Sequence, residues 1–132
     1  MSEATAETAS VEVISGDLLV ILRHAPHGTS WLREGLDAAL VAAAFGRRVS
    51  LLFMGEAVTA LLKGQQVGAL GQKGTAATLE MLELYDIHDL LVEAEALMRF
   101  GLDESELMLP VRRLDAESLS RLPAAHRLVL TF

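Results

Sequence analysis

The chain has 132 residues, enough for one domain that buries about two-thirds of the surface its unfolded form exposes. It contains no Cys, which excludes a thiolate nucleophile, a persulfide carrier and a Cys-ligated metal site. The net charge of −7, with no block of Lys and Arg, argues against direct binding to nucleic acid. No apolar stretch reaches the ~20 residues of a membrane span.

The first sixteen residues are predicted to be a flexible N-terminal extension, and residues 17–132 a single α/β domain. Residues 1–10 are rich in Ser, Ala, Thr and Glu, and they hold no basic residue and no apolar run, so they do not resemble a secretory signal. The expected location is therefore the cytoplasm. Apolar residues make up 52% of the chain, more than one small core needs, and this excess indicates a subunit interface.

Short apolar runs alternate with helical patterns along the rest of the chain. Residues 17–23 form a continuous apolar run, typical of a strand that is buried on both faces. Residues 29–45 carry apolar side chains at helical spacing, with Thr29 or Ser30 as the N-cap and Gly46 as the stop. The following elements are predicted in order: a strand over 48–54, a short helix over 55–62 and a glycine-rich loop over 64–74.

The second half of the chain continues this alternation. The predicted elements are a helix over 75–84, a strand over 89–93, a short helix over 95–100, a strand over 107–111, a helix over 115–122 and a strand over 127–132. Pro110 indicates that the fourth strand is at an edge or near its end, and Asp115 is the expected N-cap of the last helix. The pattern predicts a three-layer α/β sandwich with a mostly parallel five-stranded sheet flanked by helices.

The loop after the first strand is where such a sheet would hold a ligand, because ligands bind beyond the carboxyl ends of parallel strands. Residues 23–29 lead into a helix N-terminus that could hold an anion, but they lack the glycine pattern of a nucleotide site. His24 and His27 have a metal-ligand spacing, yet no neighbouring carboxylate completes a ligand set and no nucleophile accompanies a general base. A turn at Pro26 and Gly28, with the histidines on a surface or interface, is favoured.

Two aromatic residues are further candidates. Trp31, the only Trp, stands at the start of the first helix and fits either a core position or an interface anchor. Tyr85 is the only Tyr, and Asp86 beside it could turn the chain into the third strand. Composition and spacing thus predict an α/β domain that has no active site, metal or cofactor.

Several stretches resemble one known family. Their composition, order and spacing resemble those of the TusC/DsrF branch of the DsrE/DsrF-like family. The stretches are residues 25–29, 33–38, 61–65, 84–87, 99–102 and the C-terminal 128–132. The most specific are Ala25-Pro26-His27-Gly28-Thr29 and Arg33-Glu34-Gly35-Leu36-Asp37-Ala38. The resemblance covers residues 17–132.

The resemblance implies a fold and a function. Members of this family adopt a parallel α/β sandwich, and three related subunits of B, C and D type form a heterotrimer that doubles into a hexamer. That complex passes persulfide sulfur toward 2-thiouridine at the wobble position of tRNA, and its reactive cysteine belongs to the TusD/DsrE-type subunit. The absence of Cys fits the C type and excludes the D type, so the expected role is that of a non-catalytic structural subunit without a cofactor.

The expected partners are a TusB/DsrH-type subunit and the cysteine-bearing TusD/DsrE-type subunit, in a dimer of heterotrimers. We predict that the first loop and helix make subunit contacts. The candidate contact residues are Pro26, His27, Gly28, Thr29, Trp31, Arg33, Glu34, Tyr85 and Asp86. The alternatives are a DsrF-like subunit in dissimilatory sulfur oxidation, a self-assembling paralogue that binds a small molecule, and a stand-alone enzyme that uses His24 or His27.

Overall fold

The computed structural model describes residues 14–63 and 75–132. Its five strands are β1 (Gly16–Leu22), β2 (Val49–Phe53), β3 (Asp89–Glu93), β4 (Arg112–Leu114) and β5 (His126–Thr131). Its α-helices are α1 (Trp31–Ala44), α2 (Ala76–Glu80), α3 (Ala94–Arg99) and α4 (Ala116–Arg121). The 3-10 helices span Gly55–Leu61, Glu83–Tyr85, Glu104–Glu106 and Pro123–Ala125. Within these ranges no helix is long and apolar enough to cross a membrane.

The five strands form one sheet in the order β4-β3-β2-β1-β5, and every pair is parallel. The chain steps across the sheet from β1 to β4 in one direction and then returns past all of them to β5. Because crossovers between parallel strands are right-handed, this reversal places the last helix on the opposite face from the earlier ones. The predicted fold class is confirmed, and the sheet is parallel throughout.

The two faces of the sheet are covered unequally. The first face carries α1, the 3-10 helix 55–61, α2 and α3, and it forms the larger core around Leu51, Phe53 and Val92. The second face is covered by α4 and the chain near it, which form a smaller core. The buried members of that smaller core are Ile14, Leu19, Leu52, Leu91, Leu114 and Leu122. β2, at the centre of the sheet, is buried along its whole length.

Helix α1 approaches β1 closely at Gly35. A Cβ atom at this position would lie 2.3 Å from Cδ2 of Leu22 and 3.0 Å from Cδ2 of Phe132. A glycine inside a helix costs about 1 kcal/mol relative to Ala. The close approach of the helix to the sheet therefore explains why glycine stands in the middle of the Arg33–Ala38 stretch.

The predicted fourth strand was wrong. Residues 107–111 are not in the sheet, and β4 is Arg112–Leu114 instead. Leu107 forms an isolated antiparallel bridge with Leu62, and the N–H of Met108 donates to the carbonyl of Leu61 at 2.7 Å. The apolar residues of this segment pack on the larger core, which is why their pattern is that of a buried strand. Pro110 has no N–H to donate to a ladder.

The helical predictions differ from the structure in type and length. The short helix expected over 55–62 is a 3-10 helix over Gly55–Leu61, and the helix expected over 75–84 is α2 followed by the 3-10 helix 83–85. The predicted N-cap Asp115 is confirmed, since its carboxylate accepts the N–H of Ser118 at 2.8 Å. The predicted loop over 64–74 lies outside the described residues.

The start of the domain is earlier than predicted. Residues 1–13 of the predicted extension lie outside the described part of the chain. Ile14, however, is buried in the smaller core, and Gly16 is the first residue of β1. The last residues of the predicted extension therefore belong to the folded domain.

Candidate functional site

A cleft of about 480 Å³ opens at the carboxyl ends of β1, β2 and β3. Its lining residues follow directly from the ends of these strands or from the end of α3, which returns to the same edge. They are Arg23, Met54, Gly55, Glu56, Glu93, Arg99 and Phe100. Ligand sites of parallel α/β sheets are found at this edge, and their usual volumes are about 300–1,000 Å³. The cleft is therefore the candidate functional site.

The backbone beneath the cleft is held by hydrogen bonds that extend the sheet past its strands. The N–H of Arg23 donates to the carbonyl of Phe132 at 2.8 Å, and the N–H of Met54 donates to that of Leu22 at 2.9 Å. The hydrogen bonds of the sheet thus fix the backbone positions of Arg23 and Met54, which both line the cleft. Their side chains are presented by the rigid sheet, which positions functional groups more accurately than a loop.

Glu93 connects the end of β3 to the start of the 3-10 helix 55–61. Its Oε1 accepts the N–H of Gly55 at 3.0 Å, and this hydrogen bond is partly buried. The first N–H groups of a helix have no partner inside the helix, so the carboxylate satisfies a donor that would otherwise need water. Gly55 has a φ of 53°, in the left-handed region that favours glycine. Glu93 is thereby oriented at the edge of the cleft.

Two arginines line the cleft without an ion pair to any described carboxylate. Other arginines of the chain do have one, because Arg48 pairs with Asp89, Arg113 with Glu104 and Arg121 with Glu117. The guanidinium of Arg99 lies over the ring of Phe100, 5.7 Å from its centroid, which is a cation–π contact. A stacked guanidinium keeps its N–H groups available at its edge. Although the chain has a net charge of −7, the cleft thus contains two positively charged guanidinium groups whose N–H groups are available to a ligand.

The predicted histidine loop lies beside this cleft, and its two histidines have different surroundings. The His24 ring stacks on Trp31 with centroids 5.9 Å apart and an interplanar angle of 25°. Its Nδ1 is buried and has no hydrogen-bond partner among the described residues. His27 is exposed. Among residues 14–63 and 75–132, no group of three or more His, Cys, Asp and Glu residues could hold a metal ion.

The candidate contact residues lie on the surface near α1, and none of them lines the cleft. Trp31 is 49% exposed, so it is not a core residue. The 3-10 helix that contains Tyr85 packs against α1, and Asp86 follows it with a φ of 61°. His27, Gly28, Thr29, Arg33, Glu34, Tyr85 and Asp86 are exposed, and Pro26 is half-buried. The 83–86 turn thus packs beside α1, and the loop leads directly into the N-terminus of that helix.

Most residues of the cleft were missed by the sequence reasoning. Only the first of the three strand ends was considered, although Met54, Gly55 and Glu93 also stand where an apolar strand ends. The sequence feature that could have identified these residues is therefore their position at the end of a buried apolar run. Arg99 and Phe100 carried no such signal, because only the packing of α3 returns them to this edge.

The fold and the cleft together define a doubly wound parallel α/β protein with a polar cleft at the carboxyl edge of its sheet. Residues 17–132 match the model of the DsrE/DsrF-like family. The crystal structure of the ychN protein from Escherichia coli has the same fold, with a TM-score of 0.77 and 22% identity over 90% of this chain and 100% of that one.

Proteins with TusC names are similar to most of the chain. The TusC homolog of Pseudomonas aeruginosa is 36% identical over 118 residues, which cover 89% of this chain and 99% of that protein. The TusC homolog of Vibrio parahaemolyticus is 35% identical, covering 77% and 86%, and the TusC protein of Escherichia coli O157:H7 is 36% identical, covering 81% and 91%. The chain belongs to the DsrE/DsrF-like family and is similar to TusC proteins over most of its length, which confirms the resemblance read from its motifs.

Proposed function

We propose that this chain is a non-catalytic structural subunit of a sulfur-relay complex that passes persulfide sulfur toward 2-thiouridine at the tRNA wobble position. The observation that carries the proposal is the similarity to TusC proteins, which extends over 99% of the Pseudomonas aeruginosa protein. The absence of Cys supports a non-catalytic role, because a persulfide forms on a thiolate and this chain has none to offer.

The proposed partners are a TusB/DsrH-type subunit and a cysteine-bearing TusD/DsrE-type subunit, in a dimer of heterotrimers. The charge of the chain supports a division of labour in which another protein contacts the tRNA. A chain of net charge −7 gains little from the release of counterions that stabilises most complexes with nucleic acids. The cytoplasm is the proposed location, because tRNA is modified there.

The side of the molecule formed by α1 and the 83–86 turn is the proposed surface for subunit contacts. Phe45 at the end of α1 is 80% exposed, and Leu84 in the turn is 81% exposed. Val41 and Trp31 on α1 are also exposed. Exposed large apolar side chains on neighbouring elements are typical of subunit interfaces. The candidate contact residues lie on α1, in the loop that leads into it and in the 83–86 turn.

Assembly is the first test. We expect the tagged chain, co-expressed with the B- and D-type subunits, to elute as a complex of twice the summed mass by size-exclusion chromatography with light scattering. The separately expressed chain is the reference sample. Elution of the chain alone, or as a homo-oligomer with both partners present, would contradict the proposal and favour a self-assembling paralogue.

The pathway is tested in cells. Deletion of the gene in its host should remove 2-thiouridine from hydrolysed tRNA, measured by mass spectrometry of nucleosides, and a plasmid copy should restore it. Unchanged 2-thiouridine together with impaired sulfur oxidation would instead assign the chain to the DsrF-like alternative.

The contact surface is tested by replacing His27 and Arg33 together with Ala. Both are exposed on the proposed surface, so the isolated variant should fold normally but bind its partners more weakly. Arg121→Ala on α4, on the opposite face of the sheet, is the matched control and should assemble normally. Normal assembly and sulfur transfer by the double variant would rule out a role of this loop and helix in subunit contacts.

A further inference from the structure

The cleft at the carboxyl edge has a lining of mixed charge that its own residues do not neutralise. Arg23 and Arg99 contribute guanidinium groups, and Glu56 and Glu93 contribute carboxylates. Within the described residues, no nitrogen of either guanidinium lies within the 4.0 Å ion-pair distance of a carboxylate oxygen. Opposite charges that share a cleft without pairing keep their binding capacity for charges of a ligand.

Two of the four groups are held in place before a ligand arrives. Glu93 is oriented by the N–H of Gly55, and Arg99 is stacked over Phe100. A site whose groups are already ordered loses less entropy on binding. Met54 and Phe100 add apolar surface to the lining, so the cleft can also bury a carbon side chain.

The charge pattern selects the chemical class of the ligand. A phosphate or another multiply charged anion would gain from the two arginines but would be repelled by Glu56 and Glu93. A cation would be attracted by the two glutamates but repelled by the two arginines. A zwitterion satisfies both sets of groups, because its carboxylate can accept from a guanidinium while its ammonium donates to a carboxylate.

We propose that this cleft binds a small zwitterion of the amino-acid class with an apolar side chain. Its carboxylate lies against Arg23 and Arg99, its ammonium against Glu93 and Glu56, and its side chain against Met54 and Phe100. This binding goes beyond the proposed function and does not depend on it, since it requires only the folded chain.

The test is titration of the purified full-length chain with four probes, followed by isothermal calorimetry and by nitrogen–proton NMR spectra. The probes are L-leucine, L-leucinamide, which lacks the carboxylate, N-acetyl-L-leucine, which lacks the ammonium, and inorganic phosphate. We expect saturable binding of L-leucine, and binding at least about tenfold weaker for each other probe, because each loses one charge-assisted contact set or adds repulsion. Equal binding of L-leucinamide, tighter binding of phosphate, or no saturable binding of L-leucine would overturn the proposal.

Variants locate the site. Arg23→Met and Arg99→Met remove charge while keeping an apolar stem, and each should weaken L-leucine binding by at least about tenfold. Arg127→Met, at an exposed arginine of β5 outside the cleft, is the matched control and should bind like the parent chain. Unchanged binding by both cleft variants would overturn the proposal.

Glu93→Gln separates binding from folding. The amide oxygen of Gln can still accept the N–H of Gly55, so the turn beneath the cleft is preserved while the negative charge is lost. This variant should bind L-leucine more weakly but bind N-acetyl-L-leucine, which has no ammonium, at least as tightly as the parent chain does. An equal loss for both probes would contradict the proposed contact.

Discussion

The polar groups at the two ends of β1 and its neighbours differ in whether they have partners within the fold. At the amino end, the carboxylate of Asp17 accepts the N–H of Arg48 at 2.8 Å, and the ring of His126 joins Ser50 to the carbonyl of Leu122. At the carboxyl end, Arg23 and Arg99 face a cleft and have no ion pair with a described carboxylate. Around β1, β2 and β5 the amino end of the sheet is thus closed, whereas the carboxyl end is open. A second cleft, of about 230 Å³, lies at the amino ends of β3 and β4.

This contrast separates the polar groups that stabilise the fold from those that are available to a ligand. His126 and Ser50 are buried, and their mutual distance of 2.9 Å shows a complete hydrogen bond. Because the carbonyl of Leu122 can only accept, Nδ1 of His126 carries a proton and donates to it, and Nε2 forms the second hydrogen bond, with the Ser50 hydroxyl. This Ser–His pair resembles part of a catalytic set, but its burial and its position at the amino end make it structural.

Replacing His126 by Ala should produce the largest effect on stability. The variant leaves the Ser50 hydroxyl buried without its partner and creates a cavity at the start of β5, so we expect a loss of about 3 kcal/mol in the free energy of unfolding. Urea denaturation followed by circular dichroism measures the change.

The control for this variant is His27→Ala, at an exposed histidine, which should change the free energy of unfolding by no more than about 0.5 kcal/mol. Binding of L-leucine by the folded His126→Ala protein should stay the same as in the parent chain. A stable His126→Ala variant that no longer binds would reverse the roles assigned to the two ends.

Gly16→Ala tests how tightly the amino end is closed. The added Cβ would lie 2.9 Å from the backbone carbonyl oxygen of Arg48, which accepts the N–H groups of Asp17 and Leu18. Since β1 and β2 would have to separate, we expect a loss of about 2 kcal/mol. Thermal unfolding measures it, with Ser15→Ala at the exposed neighbouring residue as the control. Equal stability of both variants would show that this end is less rigid than described.

At the open end, Arg23→Met should change stability very little. The side chain is exposed and has no ion pair among the residues that the structure describes, so the free energy of unfolding should shift by no more than about 0.5 kcal/mol. The same denaturation experiment applies. A large loss would mean that the arginine supports the fold, and the contrast between the two ends would fail at this residue.

Asp115 is expected to show the smallest effect, and only as a dependence on pH. It follows β4 at the carboxyl end, where the N–H of Ser118 donates to its carboxylate and lowers its pKa below the ordinary value of 3.8. A lowered pKa stabilises the folded state above 3.8, and this contribution is lost as the pH falls through the folded pKa. The difference in Tm between the parent chain and Asp115→Asn should therefore shrink below pH 3.8. A difference that grows on acidification would contradict the sign.

The parallel sheet could be predicted because its strands are local apolar runs bounded by turn residues. β3 has its predicted limits, and β1, β2 and β5 differ from theirs by one residue at each end. β4 was misplaced because residues 107–111 are equally apolar, and their burial on the larger core gives the same pattern as burial in a sheet. Periodicity reports that a segment is buried, and the partner that buries it is a tertiary property.

The features of the candidate site also divide into those that the sequence shows and those that depend on tertiary packing. The loop after β1 and the motif stretches identified the family, because they are contiguous in the chain and carry their own composition. The cleft joins residues from the ends of three strands and the end of α3, which lie as much as 77 positions apart in the numbering from Arg23 to Phe100.

The sequence alone determined the fold class, the family and the absence of a thiol, because each depends on residue type or on local order along the chain. Which charged groups have a partner depends on the tertiary structure. Asp17 and Arg23 are the charged residues at the two ends of the first apolar run. Nothing in the sequence around them shows which of the two has a partner in the fold. The strand order brings the backbone of Arg48 to Asp17, whereas it brings Arg23 to a cleft that Arg99 also lines. Pairing depends on distances between segments, and the packing of the sheet and its helices sets those distances.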